Sequence, residues 1–295
     1  MRENTIYALG FFDGVHLGHQ ALLSACRELA AQQGCKAGVA TFTSHPDALV
    51  LGKTPALINC PADRRRLLLH YNIEEILELP FDRNLMQMPW QDFFRMLRKN
   101  HGAAGFVCGQ DFRFGNRGEG NGEFLRQICQ EEGIPCVVVP QLKLGQTPVS
   151  STHIRALLEA GQMEEAVRFL GHPHVLTGIV AEGRKLGRTI GIPTANLQLP
   201  EGVICPKFGV YACKATAEEK TYLAVTNIGT RPTVNGQGVT VEPWILDFAG
   251  DLYGKELSLQ FHAFLRPEEK FDSLSDLQAE IWKNAEKTRL LLENS

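Results

Sequence analysis

Two histidines on one short turn have the spacing in this sequence that best suits phosphate chemistry. His16 and His19 lie in the string FDGVHLGHQ, between an apolar run and a helical pattern. The N-terminus of a helix attracts anions, because its free N–H groups and its dipole point toward them. Gly18 has no side chain, so a phosphate can approach the backbone closely. We therefore predict that both imidazoles donate to one phosphate, and two solvated loop histidines are the alternative.

Three further polar segments fall where the same phosphate chain would lie. His45, in FTSHP, and Asp111, in GQDFRFG, each follow an apolar run that predicts a strand. Ser151 and Thr152, in SSTHIR, open a predicted helix, and Arg155 comes one turn later. Hydroxyls at a helix N-terminus can hold a triphosphate. A simple N-cap is the alternative interpretation of the serines.

The second half of the chain carries a glycine-rich basic loop. The string GRKLGRTIGIPTAN includes Gly187 and ends at Asn196. Glycines and cations in a loop suit phosphate binding. Thr194 and Asn196 offer the hard oxygen atoms that Mg²⁺ prefers, and this ion takes few protein ligands besides nucleotide phosphates. A hairpin loop with incidental basic residues is the alternative.

Composition narrows the class of protein. The 295 residues are 44% hydrophobic and carry 30 basic against 33 acidic side chains, for a net charge of -3. This balance argues against nucleic-acid binding by bulk electrostatics. No apolar run approaches the roughly 18 residues of a membrane span, and the start lacks a signal-peptide pattern. We expect a cytoplasmic protein with small-molecule partners, without nucleic acid or membrane; its oligomeric state stays open.

The first half alternates strand and helix patterns, which predicts a parallel sheet covered by helices on both faces. Ligands bind such sheets beyond the carboxyl ends of the strands, where the polar segments above are located. A helix over 151–170, with a break at Gly161, closes this half. The predicted strands are 6–9, 37–42, 75–79, 105–108 and 136–139, and the other predicted helices are 22–30, 62–71, 90–99 and 124–132.

After residue 170 the apolar pattern changes to a period of two. Short strands separated by glycine, proline and asparagine turns predict a small antiparallel barrel or sandwich. A last helix starts at Ser273, where Asp276 completes a capping box. We therefore predict two domains, 1–170 and 171–295. The predicted strands of the second domain are 175–180, 209–216, 222–228, 239–248 and 256–264.

The longer motifs resemble a known family. HxGH with a late [ST]xxIR-like segment resembles the nucleotidyltransferase superfamily of Rossmann-like α/β proteins. The strings FDGVHLGHQ and GQDFRFG are similar to the FMN adenylyltransferase module of bacterial bifunctional riboflavin kinase/FAD synthetases. In the second half, GRTIGIPTANL, PKFGVY, NIGTRPT and DLYG resemble the riboflavin kinase module, which implies a six-stranded antiparallel barrel.

The resemblance implies roles for residues of the first half. His16 and His19 would bind the ATP phosphates and stabilise the transition state, and Asp13 and Gly14 would shape their loop. His45 would contact ATP phosphate or FMN. The remaining implied contacts are to the nucleotide or flavin from Asp111, and to the triphosphate from Ser151, Thr152 and Arg155.

In the second half, the resemblance makes Glu242 the general base that accepts the proton of the terminal ribityl hydroxyl of riboflavin. Gly187 would belong to the phosphate-binding loop, and Thr194 and Asn196 would hold Mg²⁺ and phosphate. Arg289, on the last helix, would contact the flavin. These roles complete a second site that uses its own ATP.

The implied function is a bifunctional enzyme of flavin cofactor biosynthesis. ATP would phosphorylate riboflavin to FMN in the second domain, and a second ATP would adenylylate FMN to FAD in the first, with release of pyrophosphate and with Mg²⁺ as cofactor. Two alternatives stay open. In the first, only one of the two activities is live, and the presence of Trp244 two residues after Glu242 motivates this alternative. In the second, the protein is a non-catalytic flavin-binding sensor.

Overall fold

The computed structural model describes residues 4–181, 191–233 and 236–293. Within these ranges, residues 231–233 and 236–237 are described by their backbone only. The chain divides into two compact units. The first comprises Met1–Ala56 and Arg64–Ser151, and the second comprises Leu57–Asp63 and Thr152–Ser295. The helical segment 152–170 therefore packs with the second unit, and the domain boundary at residue 170 stays a prediction.

The first unit is built on a five-stranded sheet with the order β3-β2-β1-β4-β7, in which every pairing is parallel. The strands of this part of the chain are β1 (Thr5–Leu9), β2 (Lys36–Phe42), β3 (Glu75–Leu79), β4 (Ala103–Gly109), β5 (Arg113–Phe114), β6 (Gly120–Asn121), β7 (Cys136–Val139), β8 (Lys143–Leu144) and β9 (Thr147–Pro148). The helices are α1 (Leu17–Gln33), α2 (Pro46–Val50), α3 (Pro61–His70), α4 (Arg83–Gln87), α5 (Trp90–His101) and α6 (Gly122–Glu131).

The central strand β1 is buried along its whole length, as expected for a parallel sheet that is covered on both faces. Helix α5 contributes Phe93, Phe94 and Leu97 to the core on one side, where they pack with Tyr7 and Phe106. The predicted parallel α/β fold of the first half is confirmed.

From Ser151 onward the chain forms two helices, a series of antiparallel strands and a long last helix. The break predicted at Gly161 separates the first two helices, and this glycine has a φ of 76°. Among the described residues, no helix has both the length and the apolar character to cross a membrane. These elements are α7 (Ser151–Ala160), α8 (Met163–Leu170), β10 (His174–Ile179), β11 (Leu197–Gln198), β12 (Gly209–Ala217), β13 (Lys220–Thr233), β14 (Gly236–Ile245), β15 (Glu256–Arg266) and α9 (Leu274–Leu292).

The sheet of the second unit has the order β10-β15-β12-β13-β14-β11. Its two end strands approach each other, because the Ala181 amide donates to the Asn196 carbonyl at 2.9 Å and Gly178 packs against Leu197. The six strands therefore form the predicted antiparallel barrel. Tyr211 and Phe261 fill its interior.

Helix α9 covers the outer face of this barrel. Ala285 of the helix is buried in a cluster with Val210, Val225 and Trp244 of the strands. The ring of Trp244 meets that of Trp282 at 5.0 Å between centroids, in an edge-to-face arrangement. The helix therefore lies beside the strand that carries Glu242.

Candidate active sites

A cavity of about 540 Å³ in the first unit is lined by the residues that follow β1, β2 and β4. Parallel strands direct their carboxyl ends to one edge of the sheet, so segments that are far apart in sequence meet there. Five of the side chains predicted to bind phosphate or nucleotide line this one cavity: His16, His19, His45, Asp111 and Ser151.

The turn that carries the two histidines has an unusual backbone. Phe12, Gly14 and Val15 have positive φ angles of 60°, 80° and 40°. Glycine tolerates such an angle, whereas a β-branched valine rarely adopts one. The side-chain amide of Gln20 donates to the Val15 carbonyl at 2.9 Å. A conformation of this kind persists only where its surroundings fix it.

His16 is the N-cap of α1. Its Nδ1 accepts from the backbone N–H of His19 at 3.3 Å, so the proton of the neutral ring lies on Nε2. The two imidazole rings stack with their centroids 3.6 Å apart. Gly18 leaves room for this arrangement, because a Cβ atom there would lie 3.2 Å from Cε1 of His16. The helix itself therefore fixes the tautomer of a ring that lines the cavity.

His19 is a neutral imidazole at neutral pH. Burial holds its pKa well below the usual value, and electrostatic interactions with His16 and Arg64 act in the same direction. Its Nδ1 is buried and has no hydrogen-bond partner among the described residues. Buried polar atoms are normally paired, so the hydrogen bonding of His19 is incomplete without a ligand or water.

His45 occupies the start of a second helix beside the same cavity. Its Nδ1 accepts from the Asp47 amide at 3.2 Å and thereby caps α2. Its ring packs edge-on against the ring of Phe11, with 4.7 Å between centroids. Asp47 also lines the cavity, although the sequence analysis did not select it.

Arg113 is a candidate residue that the sequence analysis missed. It is exposed, as Asp111 is, and it lines the histidine cavity. It also lines a larger neighbouring cavity of about 1100 Å³. The sequence pattern could have indicated this residue, because Arg113 lies inside the motif GQDFRFG. The aromatic residues in the wall of the larger cavity are Phe42, Phe81, Phe93 and Phe114.

Asp13 and Ser151 connect the histidine turn to the first residue of α7. The Ser151 hydroxyl donates to the Asp13 carbonyl at 2.9 Å. Asp13 is buried in this turn, as Gly14 is. The hydroxyl proton of Ser151 is therefore engaged with the backbone, and the residue also lines the cavity. Two other predicted residues of this segment, Thr152 and Arg155, follow on α7 and belong to the second unit.

In the barrel, the pairing of β11 with β14 determines the relative positions of the second group of predicted residues. Thr194 forms a bridge opposite Trp244, and Leu197 pairs with Val241. This register places Asn196 opposite Glu242. Directly opposed residues of antiparallel strands point to the same face. The threonine, asparagine and glutamate therefore share one face of the sheet, and each is half-buried.

Glu242 has a positioned carboxylate. Its Oε1 accepts from the hydroxyl of Thr240 at 3.0 Å, two residues earlier on the same strand. A carboxylate held in this way can accept a proton from a nearby hydroxyl. A small cavity of about 70 Å³ adjoins Thr194 and is bounded by Asp251 and Tyr253 of the DLYG motif. The Asp251 carboxylate accepts from the Tyr253 amide at 3.0 Å, which fixes that turn.

Two further predicted residues have different outcomes. Arg289, on α9, donates to Asp247, two residues after the end of β14, at 2.9 Å, and it is about one-third exposed. Gly187 lies outside the described residues, together with most of the basic loop.

The oxygen donors of the barrel fit Mg²⁺. Thr194 and Asn196 supply hard uncharged oxygens, and Glu242 supplies a carboxylate opposite the asparagine. Within the part of the chain that the structure describes, no group of three or more His, Cys, Asp or Glu side chains could hold a metal ion. The set of Thr194, Asn196 and Glu242 suits an ion that binds few protein groups and completes its coordination shell with phosphate and water.

Comparison with known proteins agrees with these two units. The FAD synthetase family model matches residues 1–153, and the riboflavin kinase family model matches residues 170–292. A bifunctional riboflavin kinase/FMN adenylyltransferase of Listeria monocytogenes is 33% identical over 293 residues, which cover 97% of this chain and 92% of that protein. The protein of the same name from Escherichia coli K12 is 35% identical over 283 residues, which cover 95% and 90%.

One solved structure is similar over nearly the whole chain. It is described as a macrolide-efflux protein from Streptococcus pneumoniae, with 31% identity and a TM-score of 0.89. The match covers 98% of this chain and 95% of that one.

A parallel α/β unit with a histidine-lined cavity, followed by a barrel with threonine, asparagine and glutamate on paired strands, defines a two-module nucleotide-dependent transferase. The chain belongs to the family of bifunctional riboflavin kinase/FMN adenylyltransferases. The resemblance, the fold class and the bifunctional enzymatic function predicted from the sequence are confirmed, and ATP and flavins are the substrates of this family.

Proposed function

We propose that each unit catalyses one of the two reactions with the residues described above. The first unit, which we extend to residue 170, adenylylates FMN, and residues 171–295 phosphorylate riboflavin. The observation that carries the proposal is the convergence of His16, His19, His45, Asp111 and Ser151 on one cavity. Because both reactions consume ATP, we propose a cytoplasmic location.

Adenylyl transfer needs alignment and charge stabilisation more than a base. An oxygen of the FMN phosphate attacks the α-phosphorus of ATP, the new P–O–P bond forms, and the bond to the β-phosphate breaks to release pyrophosphate. The attacking oxygen carries no proton, so none has to be removed. His16 donates from Nε2, and His19 donates as a second imidazole, to the oxygens on which negative charge develops. The N-terminus of α1 adds a favourable dipole.

The aromatic cavity suits the ring system of FMN. Its phenylalanine wall offers apolar surface for a flat heterocycle, and Arg113 lines both this cavity and the histidine cavity. FMN has an aromatic ring at one end and a phosphate at the other. We place the ring among Phe42, Phe81 and Phe114, and the phosphate near His45, Asp111 and Arg113. Thr152 and Arg155 complete the contacts to the triphosphate in this proposal.

Riboflavin phosphorylation needs a base, because the terminal ribityl hydroxyl is a weak nucleophile. Glu242 accepts its proton while the hydroxyl oxygen attacks the γ-phosphorus of ATP, and ADP leaves. Mg²⁺ would be held by Thr194 and Asn196 and would neutralise phosphate charge. In this proposal Gly187 lies in the loop that approaches the phosphates, and Arg289 contacts the flavin.

Product analysis tests the assignment directly. Purified protein with ATP and Mg²⁺ is supplied with riboflavin or FMN, and the flavins are separated by chromatography. We expect FMN and FAD from riboflavin, and FAD from FMN. His16→Ala is expected to slow FAD formation at least about 10²-fold and to leave FMN formation unchanged. Flavin binding without any transfer would support a sensor, and loss of both activities in folded His16→Ala would contradict separate sites.

A further inference from the structure

Arg64 is a buried arginine whose guanidinium joins two segments of the histidine cavity. Only 3% of the residue is exposed. Its Nη1 donates to the Phe11 carbonyl at 3.2 Å, and its Nη2 donates to the Phe42 carbonyl at 3.0 Å. Phe11 begins the turn that carries His16, and Phe42 ends the strand that leads to His45. One side chain therefore bridges the backbones of both histidine segments.

The surroundings of Arg64 reinforce this bridge. The guanidinium carbon lies 4.4 Å from the centroid of the Phe11 ring, and this ring packs against the imidazole of His45. The hydroxyl of Thr41 donates to the same Phe11 carbonyl at 3.0 Å. The carbonyl and ring of Phe11 are thus both held, immediately before the residues with positive φ.

A fixed bridge is needed here because the turn is strained. Residues with positive φ at Phe12 and Val15 cost free energy and persist only when neighbouring groups hold them. A planar guanidinium donates two hydrogen bonds in fixed directions, which the ammonium group of a lysine does not do. Arg64 is therefore suited to set the separation of two carbonyls, besides supplying charge.

We infer that Arg64 is a positioning residue for adenylyl transfer, which holds the turn of His16 and His19 and the segment of His45 in the relative arrangement that one phosphate chain requires. The inference rests on the proposed function of this cavity. Arg64 acts through the backbones of Phe11 and Phe42 and is not itself assigned a contact with substrate.

The competing explanation is that Arg64 only stabilises the fold. Leu68→Ala is the matched control for stability, since Leu68 is a buried residue of the same helix and its truncation destabilises the fold. Arg65→Met is the matched control for charge, because Arg65 is the exposed neighbour on α3. Arg64→Met removes both hydrogen bonds. Arg64→Lys keeps the positive charge but cannot donate two hydrogen bonds in the fixed directions of a guanidinium.

The experiment measures steady-state FAD formation from FMN and ATP in the full-length protein. We expect Arg64→Met to lower kcat about 10²-fold, with a much smaller change in the KM for ATP, because misplacement of catalytic groups acts mainly on the transition state. Arg64→Lys should recover less than a tenth of the lost activity. Arg65→Met and Leu68→Ala, at a temperature where both are folded, should stay within about threefold of the wild type.

Two further readouts keep the inference testable. Riboflavin phosphorylation reports folding of the second unit and should stay unchanged in each variant. The ¹⁵N imidazole resonances of His16, His19 and His45 should shift in Arg64→Lys and not in Arg65→Met. If Arg64→Met does not fold, Arg64→Lys tests the inference by its kcat for FAD formation and by these ¹⁵N resonances.

Three results would overturn the inference: a kcat near that of the wild type in folded Arg64→Met, full activity in Arg64→Lys, or an equal loss in Leu68→Ala at matched thermal stability. Failure of the proposed function gives a different pattern, in which the wild type itself forms no FAD from FMN, or His16→Ala still forms it.

Discussion

The two sites obtain their geometry by different means. In the first unit, the candidate side chains come from separate loops after parallel strands, and contacts such as His16 to the His19 amide and Ser151 to the Asp13 carbonyl hold those loops. In the barrel, Asn196 and Glu242 are placed by the register of two paired strands. A loop-built site therefore depends on individual side-chain contacts, whereas a strand-built site takes its positions from the backbone ladder.

The largest expected effect is at the strand-built site. Glu242→Gln keeps the size of the side chain and removes the proton acceptor, so riboflavin phosphorylation should fall about 10³-fold. FMN adenylylation in the same preparation should be unchanged. Both rates are measured from product flavins.

Thr240 provides the control for this prediction. Thr240→Val removes the hydroxyl that donates to Glu242 and leaves the carboxylate in place. We expect a loss of less than about tenfold, because the strand register still positions the glutamate. A loss as large as that of Glu242→Gln would show that the site depends on single contacts, as the histidine cavity does.

A second prediction compares His174, in the barrel unit, with His19, in the first unit. His174, in the barrel unit, is fully buried, and burial lowers its pKa to about 4, with a smaller contribution from His172 that Asp63 opposes. Between pH 6.5 and 4 the unfolded chain therefore binds a proton that the folded chain does not. Stability should fall as the pH is lowered through this window, by about 3 kcal/mol from this group.

The comparison of His174→Phe with the wild type isolates that effect. Urea unfolding of the barrel unit can be followed by the fluorescence of Trp244 and Trp282 when both proteins carry Trp90→Phe, which removes the third tryptophan, in the first unit. The variant should lose less stability than the wild type between pH 7 and pH 4. His19 has the same sign of shift but lines a cavity, so ATP binding should alter its titration and leave that of His174 unchanged. An equal pH dependence in variant and wild type would contradict the assignment.

The smallest expected effect is at Ser151. Ser151→Ala removes the hydrogen bond to the Asp13 carbonyl and should lower the free energy of unfolding by about 1 kcal/mol. FAD formation should fall less than about tenfold, because the serine supports the turn and the histidines remain. A loss above about 10²-fold would mean that the hydroxyl is needed at the phosphates themselves.

The sequence predicted most of the framework, because apolar periodicity reports burial directly. The strands predicted at 6–9 and 75–79 match β1 and β3 within one residue. The order of strands in the sheet was not predictable, since periodicity does not say which strands pair. The two-residue strand β11 was missed for a related reason: it is too short to show a period, although it places Asn196 opposite Glu242.

The motifs identified histidines that line the cavity but not the residue that holds their backbone segments in place. His16, His19 and His45 were selected because their residue type suits phosphate chemistry. Arg64 lay in a predicted helix, 53 and 22 residues from the carbonyls that it contacts, so no local pattern could relate them. Long-range contacts to backbone atoms leave no signature in side-chain spacing.

The close approach of His16 to Gly18 has a consequence for mutational surveys of this enzyme. A scan that replaces each side chain by alanine treats glycine as a position with nothing to remove. At position 18 the added methyl group would press on the imidazole and displace it by a few tenths of an ångström. Deep mutagenesis should therefore rank this residue beside the histidines, even though it has no functional group of its own.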